Sequence, residues 1–220
     1  MEATRGGVSL SQTRVIFSAT DKAQTIAVKN TGAKNYLIQS RVQSELNNDR
    51  VAPFVVTPPL FKLGPESNQL LRILKQDHPL PSDRESLFYL SVSAIPAQSE
   101  PITNEARLSM GFQFVIKLFY RPEGLKITPD NAYCRMRVAP TSKGVRIENP
   151  TPYFLSLADL KFDHTVIDLD VQPSMIAPMN SEVYPVSKPV RQVYWQAIND
   201  FGGLSGQCQQ AMPAKQEQSK

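Results

Sequence analysis

The stretch RLSMGFQFVIKLFYRP, residues 107–122, restricts what this chain can become more than any other. Every even position within it is apolar: Leu108, Met110, Phe112, Phe114, Ile116, Leu118 and Tyr120. That is the two-residue period of a β-strand. The odd positions from Arg107 to Gln113 are polar or small, whereas Val115 and Phe119 make the second half apolar on both faces. Strands of this length are uncommon, since most stop at about 5–6 residues. At a sheet edge, the one-sided first half would present unpaired backbone groups as a template for another chain.

The remainder of the chain supplies sheets for such a strand to join. VSLSQTRVIF, QTIAVKNTG, NYLIQSRVQSE, FVVTPPLFKLGP, NQLLRILKQ and ESLFYLSVSAI are short apolar or alternating runs divided by turn residues. With the 107–122 stretch they make roughly seven strands at spacings of about 8–15 residues, the pattern of an immunoglobulin-like sandwich. After YRPEGL the pattern restarts. YCRMRVAP, GVRIENPTPYFLSLADLKF, VIDLDVQP, SMIAPMNSEVYPV and RQVYWQAIND read as a second, smaller β set. The expected organisation is all-β, with an N-terminal domain over 1–122, a smaller sandwich over 123–211 and a disordered polar tail over 212–220.

Composition agrees with folded β domains. The hydrophobic share is 41% and proline reaches 18 of 220 residues, favouring many corners over long helices. No run approaches the roughly 18 apolar residues a membrane helix requires, so membrane insertion is not expected. MEATRGG at the N-terminus has neither a basic n-region nor an apolar h-region, so no signal peptide is read there. The net charge of +4 is scattered without a dense basic stripe, which argues against nucleic-acid binding.

Catalytic and metal chemistry find little support. The two histidines, His78 in DHPLPSD and His164 in FDHTV, sit in polar surroundings with no nucleophile nearby in sequence. No GxSxG, phosphate-cradling glycine loop or HExxH occurs. DLKFDHTVIDLD carries four aspartates, but at no EF-hand spacing, and reads as a solvated strand face. Neither an enzyme nor a bound metal or cofactor is expected. Cys134 and Cys208 match no zinc signature; they are either a disulfide or two unrelated buried thiols.

Several segments together carry a resemblance. SLSQTRVIF, DRESLFYLSVSAIP, IKLFYRP and YWQAINDFGG closely resemble the periplasmic chaperones of the chaperone–usher pathway, over nearly the whole span from Val8 to Gly203. The resemblance implies two immunoglobulin-like domains in an L or boomerang arrangement, and a chaperone that binds and caps pilus subunits by donor-strand complementation. It implies delivery to an outer-membrane usher and a periplasmic location. The matching donor side chains are Leu108, Met110, Phe112 and Phe114, and the matching anchor for a subunit's C-terminal carboxylate is Arg14 with Lys117. Glu85, Arg121 and Asp200 match an interdomain salt-bridge network, and Pro58–Pro59 matches a proline corner.

The moderate QSEPITNEA loop, with no cysteine in its flanking strands, resembles the short-loop subfamily. An oxidising periplasm favours pairing of Cys134 with Cys208. An open donor strand is also able to pair with a second copy of the chain when no subunit is bound. The alternative is a structural β-sandwich of a fimbria or adhesin, which has no need of Arg14 or Lys117.

Overall fold

The computed structural model describes residues 7–46, 48–97 and 111–213. They form two compact units, each an immunoglobulin-like β-sandwich. The first runs to Leu80 and resumes over Ser86–Arg121; the second takes Pro81–Glu85 and the chain from Pro122 onward.

The first unit contains β1 (Val8–Leu10), β2 (Arg14–Ser18), β3 (Gln24–Asn30), β4 (Tyr36–Glu45), β5 (Asn48–Val51), β6 (Phe54–Thr57), β7 (Leu60–Leu63), β8 (Ser67–Lys75), β9 (Ser86–Pro96) and β10 (Phe112–Arg121). One sheet has the order β1-β3-β8-β6; the other runs β2-β10-β9-β4-β5, with β7 also on β4. The sequence reads VSLSQTRVIF as one strand, but it becomes two strands in opposite sheets. Ser11 ends the first ladder by bonding Ala27 twice: its N–H donates to the Ala27 carbonyl, and its Oγ accepts from the Ala27 N–H. The chain then crosses to the other sheet. Alternation along β4 sends Tyr36, Ile38 and Val42 inward and leaves Leu37, Gln39 and Arg41 outward. Ile38, Leu71, Ile73, Leu90 and Leu118 form the centre of the core. The buried Asn30 side chain closes the NTG turn, donating to the carbonyls of Lys34 and Gly64 and accepting from the Gly32 N–H. The Thr57–Pro58 peptide in the proline corner is cis.

The second unit contains α1 (Pro129–Ala132), β11 (Arg137–Thr141), β12 (Gly144–Asn149), β13 (Leu155–Phe162), β14 (Thr165–Val166), β15 (Met175–Ile176), β16 (Asn180–Pro185), β17 (Gln192–Ala197) and β18 (Cys208–Ala211). A sheet of order β11-β12-β16 packs over β14-β13-β17-β18, with β15 on β13. Trp195, Tyr184 and Leu160 fill the interior, and the Trp195 indole donates to the Tyr133 carbonyl. Here three readings of the sequence are corrected. VIDLDVQP is strand only at Val166; the rest turns, with the Asp168 side chain and carbonyl accepting from the Asp170 and Gln172 N–H groups. In YCRMRVAP the strand starts at Arg137, after the short helix. CQQA, for which the sequence reading assigned no strand, is a strand paired with β17. Order also reaches Met212, whose N–H donates to the Arg191 carbonyl and whose side chain packs on the core.

Cys134 and Cys208 form a disulfide, with Cα atoms 5.2 Å apart, tying the segment after α1 to β18.

Candidate functional site

The pairing of β10 changes halfway along the strand. On one side, β9 accompanies it antiparallel from Phe112 to Tyr120. On the other, β2 runs parallel to it, but only opposite Lys117–Arg121. Among the described residues, 112–116 therefore have one neighbouring strand and form an open edge, while 117–121 lie inside the sheet. The cause is the sheet switch of the N-terminal segment, which delivers β2 to this ladder only from Arg14 onward. The burial of the even side chains follows the same step. Leu118 is 0% exposed, Ile116 and Phe114 are partly buried against the core, and Phe112 is 39% exposed. Phe112 is held edge-on between Tyr36 and Phe114, at ring separations of 5.8 and 5.5 Å. Leu108 and Met110, and the loop read as the short-loop feature, lie outside the described residues.

The odd side chains of β10 occupy the face turned away from the core. Lys117 stands in register with Arg14 on β2 and with Tyr89 on β9. Registered neighbours share a face at about 5 Å, so two cations are placed side by side at the point where the open edge ends. Both are half-buried, and the Arg14 Nε is fully so. Burial holds the Lys117 ammonium below the ordinary lysine range, and the Arg14 charge lowers it further. An anion bridging the two would relieve both effects, through charge-assisted hydrogen bonds that contribute about 1.5–3 kcal/mol each. The Arg14 guanidinium carbon lies 5.5 Å from the centroid of the Phe119 ring, a cation–π contact.

The three residues of the expected salt-bridge network are placed as follows. Glu85 is 4% exposed and bound to its own unit: its N–H donates to the Pro152 carbonyl and its carboxylate accepts from the Phe154 N–H, both at 2.9 Å. Arg121 closes β10, and its carbonyl accepts from the Ala19 N–H. Asp200 lies half-buried on the turn after β17. His78 and His164 are exposed. Tyr89 and Phe119 are the neighbours that sequence reasoning missed. Phe119 did leave a signal, as a large apolar residue that with Val115 interrupts the polar character of the odd-numbered face.

Two family descriptions match the chain. Residues 7–126 match "Pili and flagellar-assembly chaperone, PapD N-terminal domain", and residues 131–209 match "Pili assembly chaperone PapD, C-terminal domain". The chain belongs to the pilus-assembly chaperone family. Among its relatives, the probable fimbrial chaperone protein ElfD of Escherichia coli (strain K12) is 37% identical over 208 residues, spanning 93% of this chain and 87% of the relative. The chaperone protein FimC of the same strain is 37% identical over 204 residues, spanning 90% and 82%. The structure of the E. coli chaperone DraB superposes with a TM-score of 0.80 at 32% identity, covering 93% of this chain and 98% of that one. A chain of the Salmonella enterica SafA pilin–SafB chaperone complex reaches a TM-score of 0.84 at 29% identity, covering 96% and 98%. Members of this family are chaperones, not enzymes, which also sets aside the structural-fimbrial alternative.

Proposed function

We propose that this chaperone works in the periplasm, that it completes unfinished fimbrial subunits with the open half of β10, and that it hands them to an outer-membrane usher. The observation that carries this reading is the step in β10: an open edge over 112–116 ends at the Arg14–Lys117 pair. A subunit strand added to that edge gains ladder hydrogen bonds of about 0.5–1.5 kcal/mol each. Its fold gains the side chains of Leu108, Met110, Phe112 and Phe114, at roughly 1.5–3 kcal/mol for each that becomes buried. The reading extends to Glu85, Arg121 and Asp200 as the network that fixes the two domains. Periplasmic chaperones of this family work where the Cys134–Cys208 disulfide is stable.

The anchor also sets strand polarity. A segment filling the line beside 112–116 lies end to end with β2, whose first residue, Arg14, is opposite Lys117. Its terminal carboxylate reaches both cations only if it runs in the same direction as β10. Co-expression with candidate fimbrial subunits tests this. Arg14→Ala and Lys117→Ala are expected to lose subunit recovery while remaining folded, and recovery at wild-type yield from both would refute the anchor. Met110→Asp is expected to abolish recovery without unfolding the chaperone.

A further inference from the structure

Phe119 is an anomaly on β10. It points away from the core that holds Leu118, yet is only 2% exposed. Its partner across the ladder is Ile16, so Arg14, two residues earlier on β2, is its diagonal neighbour on the same face. The Arg14 guanidinium carbon stands 5.5 Å over the ring. Arg14 has a reason to leave that place, because Lys117 is registered directly beside it and like charges on one ladder position repel. The negative face of an aromatic ring offsets that repulsion. A guanidinium that meets a ring through its face keeps its N–H fork in the perpendicular direction, the geometry that matches a carboxylate.

We propose that Phe119 is a positioning residue, a platform that holds the Arg14 guanidinium flat and in place so that the cation pair selects a chain-terminal carboxylate. The inference rests on the carboxylate-anchor reading above and adds to it the group that sets its selectivity. A leucine or methionine at 119 fills comparable apolar space but has no π face; a tyrosine keeps the ring. The difference between them separates a platform from simple packing.

The test uses a synthetic peptide matching the C-terminal strand of a fimbrial subunit, made once with a free carboxylate and once as the amide. Binding of both forms is measured to the wild-type chaperone and to Phe119→Leu, Phe119→Met and Phe119→Tyr, each first checked for folding by thermal denaturation. Wild type is expected to prefer the carboxylate. Phe119→Leu and Phe119→Met are expected to bind the carboxylate roughly five- to tenfold more weakly, the range a partly desolvated cation–π contact supplies, with amide binding unchanged. Phe119→Tyr is expected to keep the wild-type preference. The platform is overturned if either ringless variant that folds retains the full preference for the carboxylate, or if Phe119→Tyr loses it as they do. A wild-type protein that binds both peptides equally overturns the anchor itself, and the platform with it.

Discussion

Lys117 occupies a position where a lysine opposes folding. Burial first, and then Arg14, depress its pKa, so the folded protein releases this proton at a lower pH than the unfolded chain does. Below the depressed value the folded state bears the full penalty of a charged, half-buried ammonium. As pH rises towards the ordinary lysine range the unfolded chain binds more protons, and stability increases. Lys117→Met is therefore expected to raise the midpoint of thermal unfolding by a few degrees at neutral pH, with the advantage shrinking in alkaline buffer. Tyr89, registered beside Lys117, has its pKa raised by burial and acts with the opposite sign at alkaline pH. Ser40 is a second costly residue. It faces inward on β4, 4% exposed, and its Oγ makes no hydrogen bond among the described residues. An unsatisfied buried hydroxyl costs about 1–3 kcal/mol. Ser40→Ala is accordingly expected to stabilise the protein by about 1 kcal/mol in denaturant titration, with subunit recovery unchanged.

On the proposed donor role, the single alternation of β10 serves both the core and a bound subunit, and truncation separates the two. Leu118→Ala removes a fully buried side chain and is expected to cost about 2–5 kcal/mol of folding stability. Phe112→Ala, at the exposed end of the same row, is expected to cost less, about 1–2 kcal/mol from its two edge-on ring contacts. It should nevertheless lower subunit recovery. Equal losses of stability from the two would mean that Phe112 belongs to the core. The alternation itself was legible in the sequence, because period-2 patterning is local. The extent of the open edge was not. It is fixed by where β2 begins, more than a hundred positions earlier in the chain, and that start depends on the pairing of Ser11 with Ala27. VIDLDVQP misled for a related reason: its alternation is genuine, but the Asp168 cap bends the backbone into a turn before a ladder can form. CQQA gave no signal, being short and polar, with its partner strand lying across a glycine-rich loop.

Across the whole molecule the two sandwiches differ in how they are secured. The second has a disulfide between residues 74 positions apart, which the chain-entropy relation values at about 4 kcal/mol. Cys134→Ser with Cys208→Ser is expected to lower the calorimetric transition of the second unit and leave that of the first in place. A drop shared equally by both units would mean that they unfold as one. The first unit holds the open edge without such a bond, relying on its core and on Asn30 to staple its turns. Its β2 has a further consequence. Because the first residue of β2 stands directly ahead of the line left open among the described residues, a strand added there has nowhere to continue once it reaches Arg14. Under the proposed carboxylate anchor, the site is a gauge that reads the finished end of a polypeptide. On that proposal, a subunit lengthened by a few residues presents no end to be measured.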